Sequence, residues 1–176
     1  MLLAACLRGE PGRQLQMPEL READYYWIAG RIFANETGGK LRYLVHWNEG
    51  EDFPSMGIGH FIWFPEGVDA PFDESFPTMF EYVKGEVDEC APVPAWLAGD
   101  EVPDAPWPDK ATFDAERDSD PAKGDSDRIS SLRDWLAKTA PEQSRYIVAN
   151  FAARWNALEL DDKDVLTGVL QRLLST

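Results

Sequence analysis

Between Asn35 and Trp63 the chain reads NETGGKLRYLVHWNEGEDFPSMGIGHFIW, and few local structures accommodate that order. A carboxylate, Glu36, closes an apolar helical pattern. Gly38 and Gly39 follow at once, where a left-handed C-terminal cap favours glycine. An alternating run, an acidic turn (Asn48 to Asp52) and the segment Ser55-Met56-Gly57-Ile58-Gly59-His60 complete the stretch. No other part of the chain concentrates so many polar, glycine and aromatic residues, so an active site is expected here.

The preceding helix is expected from about Pro18 to Glu36. Ile28, Ile32 and Glu36 recur every four residues, and Tyr25, Ala29 and Phe33 form the adjoining row. Glu36 thus stands in line with an apolar stripe, at the negative end of the helix dipole. Partial burial and that dipole both disfavour a carboxylate and are expected to raise its pKa, as a general acid requires. Residues 40–48 and 55–64 read as a two-stranded hairpin around the acidic turn. By the period of two, Ser55, Gly57, Gly59, Phe61 and Trp63 are expected on one face of the second strand. The glycines mark either a close approach, by ligand or chain, or a bulge. Phe61, Trp63 and Phe64 offer flat faces for sugar rings or, equally, core packing.

Downstream, residues 65–77 read as a proline-punctuated loop, and Thr78 with Glu81 as a capping box for a helix through Lys84. Residues 99–127 hold ten acids against three bases and are expected as an exposed wrap with at most one short helix. Ile129, Leu132, Trp135 and Leu136 then mark a helix. Thr139-Ala140-Pro141-Glu142 starts another, with an apolar face of Ile147, Phe151, Trp155 and Leu158. Val165 to Leu173 forms a last one.

With 176 residues, 44% apolar, the chain suits one globular domain over 18–176 behind a mobile leader, 1–17. The net charge of −15 argues against a nucleic-acid partner, and no apolar run has the length of a membrane span. Leu3-Ala4-Ala5-Cys6 resembles a lipoprotein lipobox without the usual upstream regions. The expectation is a periplasmic or cell-envelope protein, with a chance match and a cytoplasmic protein as the alternative. Two cysteines, Cys6 and Cys90, make no disulfide framework. No cofactor is expected, nor a metal, since only His46 and His60 are present as imidazole ligands. A Ser-His-acid triad from Ser55 and His60 lacks a G-x-S-x-G elbow. Paired carboxylates fit better: Glu36 as acid and Glu49 or Glu51 across a cleft, although either turn acid is also what a solvated turn would carry.

A helix-terminal Glu followed by [ST]-x-G-I-G-H resembles the lysozyme-like superfamily, particularly phage-type endolysins. The resemblance covers about a sixth of the chain. It implies an α+β fold: a catalytic helix, a small β-hairpin and a mainly helical C-terminal lobe. It also implies Glu36 as catalytic acid, Ser55 in the place of a threonine, and His60 as a structural histidine. Glu49 matches the family's aspartate best by its distance from Ser55, with Glu51 second. The sequence departs from the phage pattern in a longer Glu-to-His interval, in Glu for Asp and in Ser for Thr. The wider pattern N-E-x-G-G, W-N-x-G-E-x-F and S-x-G-I-G-H-F-I-W is also similar to an uncharacterised bacterial family, itself similar to a lysozyme type acting on deacetylated peptidoglycan. The implied function is a monomeric glycoside hydrolase (a muramidase) cutting peptidoglycan or a related amino-sugar polymer, with Gly57, Gly59, His60, Phe61 and Trp63 contacting substrate. The alternatives are a lytic transglycosylase using Glu36 alone, and a non-catalytic glycan-binding protein.

Overall fold

A computed structural model describes residues 19–87, 91–117 and 127–157. The expected leader with Cys6, the thiol Cys90, Leu158 and the expected last helix lie outside them. The chain divides into two units, Leu20–Ile147 and a second formed by Met1–Glu19 with Val148–Thr176. The sheet, the aromatic core and the clefts belong to the first.

Helix α1 spans Glu22–Thr37, starting later than Pro18. Its first turn carries Glu22 and Asp24, as the dipole favours. The Asp24 carboxylate accepts hydrogen bonds from the Arg21 guanidinium and then from its backbone N–H, which hold its pKa below the usual carboxylate range. At the other end Gly38 takes φ 59°, the left-handed cap expected there.

The chain after Lys40 departs from the expected hairpin. Leu41–Leu44 forms a 3-10 turn, and only Val45–His46 (β1) is extended. The expected second strand is two short ones, β2 (Ser55–Met56) and β3 (Phe61–Ile62), separated by the turn Gly57-Ile58-Gly59-His60. The three strands form an antiparallel sheet in the order β1-β2-β3. Val45 pairs with Met56 and Met56 with Phe61, while His46 pairs with Ser55 and Ser55 with Ile62. Cross-strand partners share a face, so Ser55 and Phe61 lie on opposite faces. The positive φ of Gly57 (73°) and His60 (48°) reverses the chain, which cancels the simple period of two.

Helix α2 (Phe76–Glu86) begins two residues before Thr78, with Ser75 at its N-cap position and proline in its first turn. A Thr78–Glu81 capping box therefore does not form the helix start. Ser75 also covers the edge of β3: its Oγ accepts from the Ile62 N–H, and its own N–H donates to the Ile62 carbonyl. Helices α3 (Lys110–Arg117), α4 (Asp127–Lys138) and α5 (Ala140–Ala157) follow. The architecture is thus α+β, helices around one small antiparallel sheet.

The core is aromatic. Trp63 packs on Phe76, tilted, at 4.4 Å between centroids and meets Trp107 edge-on at 6.1 Å. Phe80, Phe113, Trp47 and Trp135 are buried around them. A buried indole needs an acceptor for its N–H. Here Trp47, Trp63 and Trp135 donate to the loop carbonyls of Glu51, Pro103 and Ala91, and Trp107 to the carboxylate of Glu116. The segment expected as an exposed acidic wrap therefore contributes to the core. Asp100, Glu101, Asp104 and Asp109 face outward, while Ala105, Trp107 and Phe113 are inserted and Glu116 turns inward to Trp107.

Candidate functional site

Glu36 lies on the last turn of α1, where Thr37 rather than Glu36 takes the buried position. Thr37 Oγ1 donates back to the Phe33 carbonyl. The Glu36 side chain is 51% exposed, so the burial expected of it is absent. One of its carboxylate oxygens stands 4.0 Å from His60 Nδ1, too long for a hydrogen bond. The Gly57–His60 turn thus brings His60 back to the end of α1.

His60 also lines a cleft of about 490 Å³ with Glu51, Asp52, Ser55, Asp69 and Phe72. That volume lies within the range of small-ligand sites. The acidic turn closes one side of it. The Asn48 side chain donates to Glu51 Oε2 at 3.0 Å, and the Trp47 indole donates to the Glu51 carbonyl at 2.7 Å, so both ends of Glu51 are fixed. Glu49 is placed differently. Its side chain is 93% exposed and pairs with Lys110 of α3 at 3.3 Å, and it does not line the cleft. The structure therefore brings together Glu51, Ser55 and His60, with Glu36 on the His60 side, and leaves Glu49 out.

Phe61 and Trp63 are not cleft residues. Trp63 is wholly buried in the aromatic core, and Phe61 packs edge-on against Tyr146 at 5.7 Å. Neither presents a ring face to a ligand. Two other aromatics border the cleft, buried Phe53 and exposed Phe72, in edge contact with each other.

The two glycines of the turn answer to packing rather than to a ligand. A Cβ on Gly57 would fall on Gln143 Oε1, and one on Gly59 would come within 2.8 Å of the Phe61 ring. Gln143 is fully buried near the start of α5. Its Oε1 accepts from the Ile58 N–H at 2.9 Å, while its Nε2 donates to the Leu136 carbonyl at 2.7 Å and to Thr139 Oγ1 at 3.1 Å. One amide thus ties the turn carrying His60 to the junction between α4 and α5. Sequence reasoning missed Gln143. The only local signal was a polar residue just inside a well-formed helix start, which most often points to solvent.

Near His60 stands His46, the cross-strand partner of Ser55. Burial, followed by the nearby His60, Arg117 and Lys110, lowers the His46 pKa against the raising effect of its hydrogen bond with Asn48. His46 therefore tends to the neutral form. Among the described residues no group of three or more His, Cys, Asp or Glu side chains is arranged to hold a metal ion. No helix among them is long and apolar enough to cross a membrane. No protein-family model, curated protein or solved structure matches this chain.

Proposed function

We propose that the chain is a lysozyme-like glycoside hydrolase acting on peptidoglycan or a related amino-sugar polymer. The observation that carries this reading is a cleft lined by Glu51, Ser55 and His60, with the Glu36 carboxylate 4.0 Å from His60 Nδ1. Glu36 is the proton donor to the glycosidic oxygen. A glycan chain that runs from the cleft past His60 would reach its half-exposed carboxyl and displace water there. Glu51, held by Asn48, is the second carboxylate; it positions water or stabilises the positive charge that develops on the sugar ring. Ser55 provides a hydroxyl beside it, and Phe72 an apolar face. Glu49, tied to Lys110, takes no part.

The exposure of Glu36 favours a second reading, a glycan-binding protein without catalysis. Incubation with sacculi, followed by separation of the released muropeptides, distinguishes the two. Reducing-end products that disappear in Glu36→Gln, with the fold unchanged by circular dichroism, are expected for the hydrolase. Anhydro-ended products would make the chain a lytic transglycosylase. Binding without release, or release at most of the wild-type rate by Glu36→Gln, would remove the assignment of Glu36 as acid.

A further inference from the structure

A second cavity, of about 520 Å³, opens on the other side of His46 and is lined by Arg42, Tyr43, His46, Arg117 and Arg133. Three guanidinium groups share it in a protein of net charge −15. Like charges brought together are unfavourable unless a counter-charge joins them. Among the described residues Arg42 and Arg133 make no ion pair, whereas Arg117 pairs with Asp114 at 2.8 Å. Arg42 donates to the uncharged Tyr43 hydroxyl at 2.9 Å and lies over its ring at 4.7 Å.

Arg133 is the most informative of the three. It projects from α4, its Nε is enclosed without a hydrogen-bond partner, and it makes no ion pair among the described residues. Burial lowers its pKa, Asp134 opposes that, and Arg117 adds to it. A guanidinium stays charged under any ordinary condition, so it cannot escape this position by losing its proton. An enclosed N–H without an acceptor is unfavourable. That Nε–H is left for an acceptor from outside.

We propose that this cavity is a binding site for an oxyanion, a phosphate or carboxylate group carried on a small molecule or on a polymer. Arg133 and Arg42 hold it by charge-assisted hydrogen bonds, and Arg117 adds charge from the third side. The Tyr43 ring, edge-on to His46 at 5.0 Å, forms the apolar wall. The cavity is larger than a lone phosphate, which leaves room for the body that carries the group. The site is independent of glycan cleavage, because neither Glu36 nor Glu51 lines it.

The chain's two histidines give a direct readout, since only His46 borders the cavity. In imidazole-detected NMR titrations of the full chain, inorganic phosphate is expected to move the His46 signals with a Kd of about 1 mM or below. The His46 pKa is expected to rise when the site is filled, because a nearby anion favours the imidazolium. Succinate in a parallel titration separates the carboxylate from the phosphate source, and the tighter of the two names the class. Arg133→Met, which keeps an apolar stem for packing, and Arg42→Gln, at an exposed position, are each expected to weaken binding roughly tenfold or more. No movement of His46 with either anion would overturn the proposal. So would an equal response to chloride at matched ionic strength, or binding unchanged in both variants.

Discussion

Replacing Gln143 by Met keeps the length of the side chain and removes all three of its hydrogen bonds. Thr139 Oγ1 retains its bond to the Trp135 carbonyl, so two groups lose the partner that Gln143 supplied, the Ile58 N–H and the Leu136 carbonyl. Each buried group left unsatisfied costs about 1–3 kcal/mol, which sums to about 2–6 kcal/mol. Domain stabilities are about 5–15 kcal/mol, so the variant should fold with much of its margin removed. The loss should be local first, because Ile58 lies within the turn that positions His60. Urea unfolding measures the global change, and hydrogen exchange of the Ile58 amide measures the local one. The expected result is a drop of at least about 2 kcal/mol together with fast exchange at Ile58. A change under about 1 kcal/mol with Ile58 still protected would show that the turn holds itself, and the account of Gln143 as its tether would be wrong.

Three further outcomes are expected. Glu51→Gln should reduce glycan cleavage by about tenfold or more, while Glu49→Gln should leave it nearly unchanged, because only Glu51 lines the cleft; reversed ranking in a reducing-end assay would refute that placement. The lowered pKa of His46 means that the unfolded chain binds its proton more readily than the folded one. Stability should therefore be full above the ordinary histidine value of 6.5 and fall as pH drops from there to the folded value, and His46→Gln should flatten that part of the urea-midpoint profile; an unchanged slope would remove His46 as its source. The cleft carries Glu51, Asp52 and Asp69, so deacetylated peptidoglycan, with its protonated amines, should be cut faster than the acetylated form at low salt. That preference should shrink near 0.1 M salt, where screening acts over about 10 Å, and equal rates on both substrates at low salt would assign the acidic composition to solubility alone.

Periodicity and glycine chemistry made several elements legible in the sequence. The end of α1 at Gly38, the helix carrying Ile129, Leu132 and Leu136, and the start of α5 after Thr139 all depend on contacts within a few residues, which local patterns record. The tertiary structure alone decided which residues face the cleft. Trp63 and Phe61 fill the core because their rings bury more favourably there than at a surface, and the His60 turn breaks the alternation that had placed them beside Ser55. Glu51 rather than Glu49 enters the cleft because the Asn48 amide and the Trp47 indole hold it there, while Glu49 points outward to Lys110, some sixty positions away. Gln143 and the arginine cavity were illegible for the same reason: each joins segments distant along the chain, and no local pattern encodes which long side chains meet across a packed core.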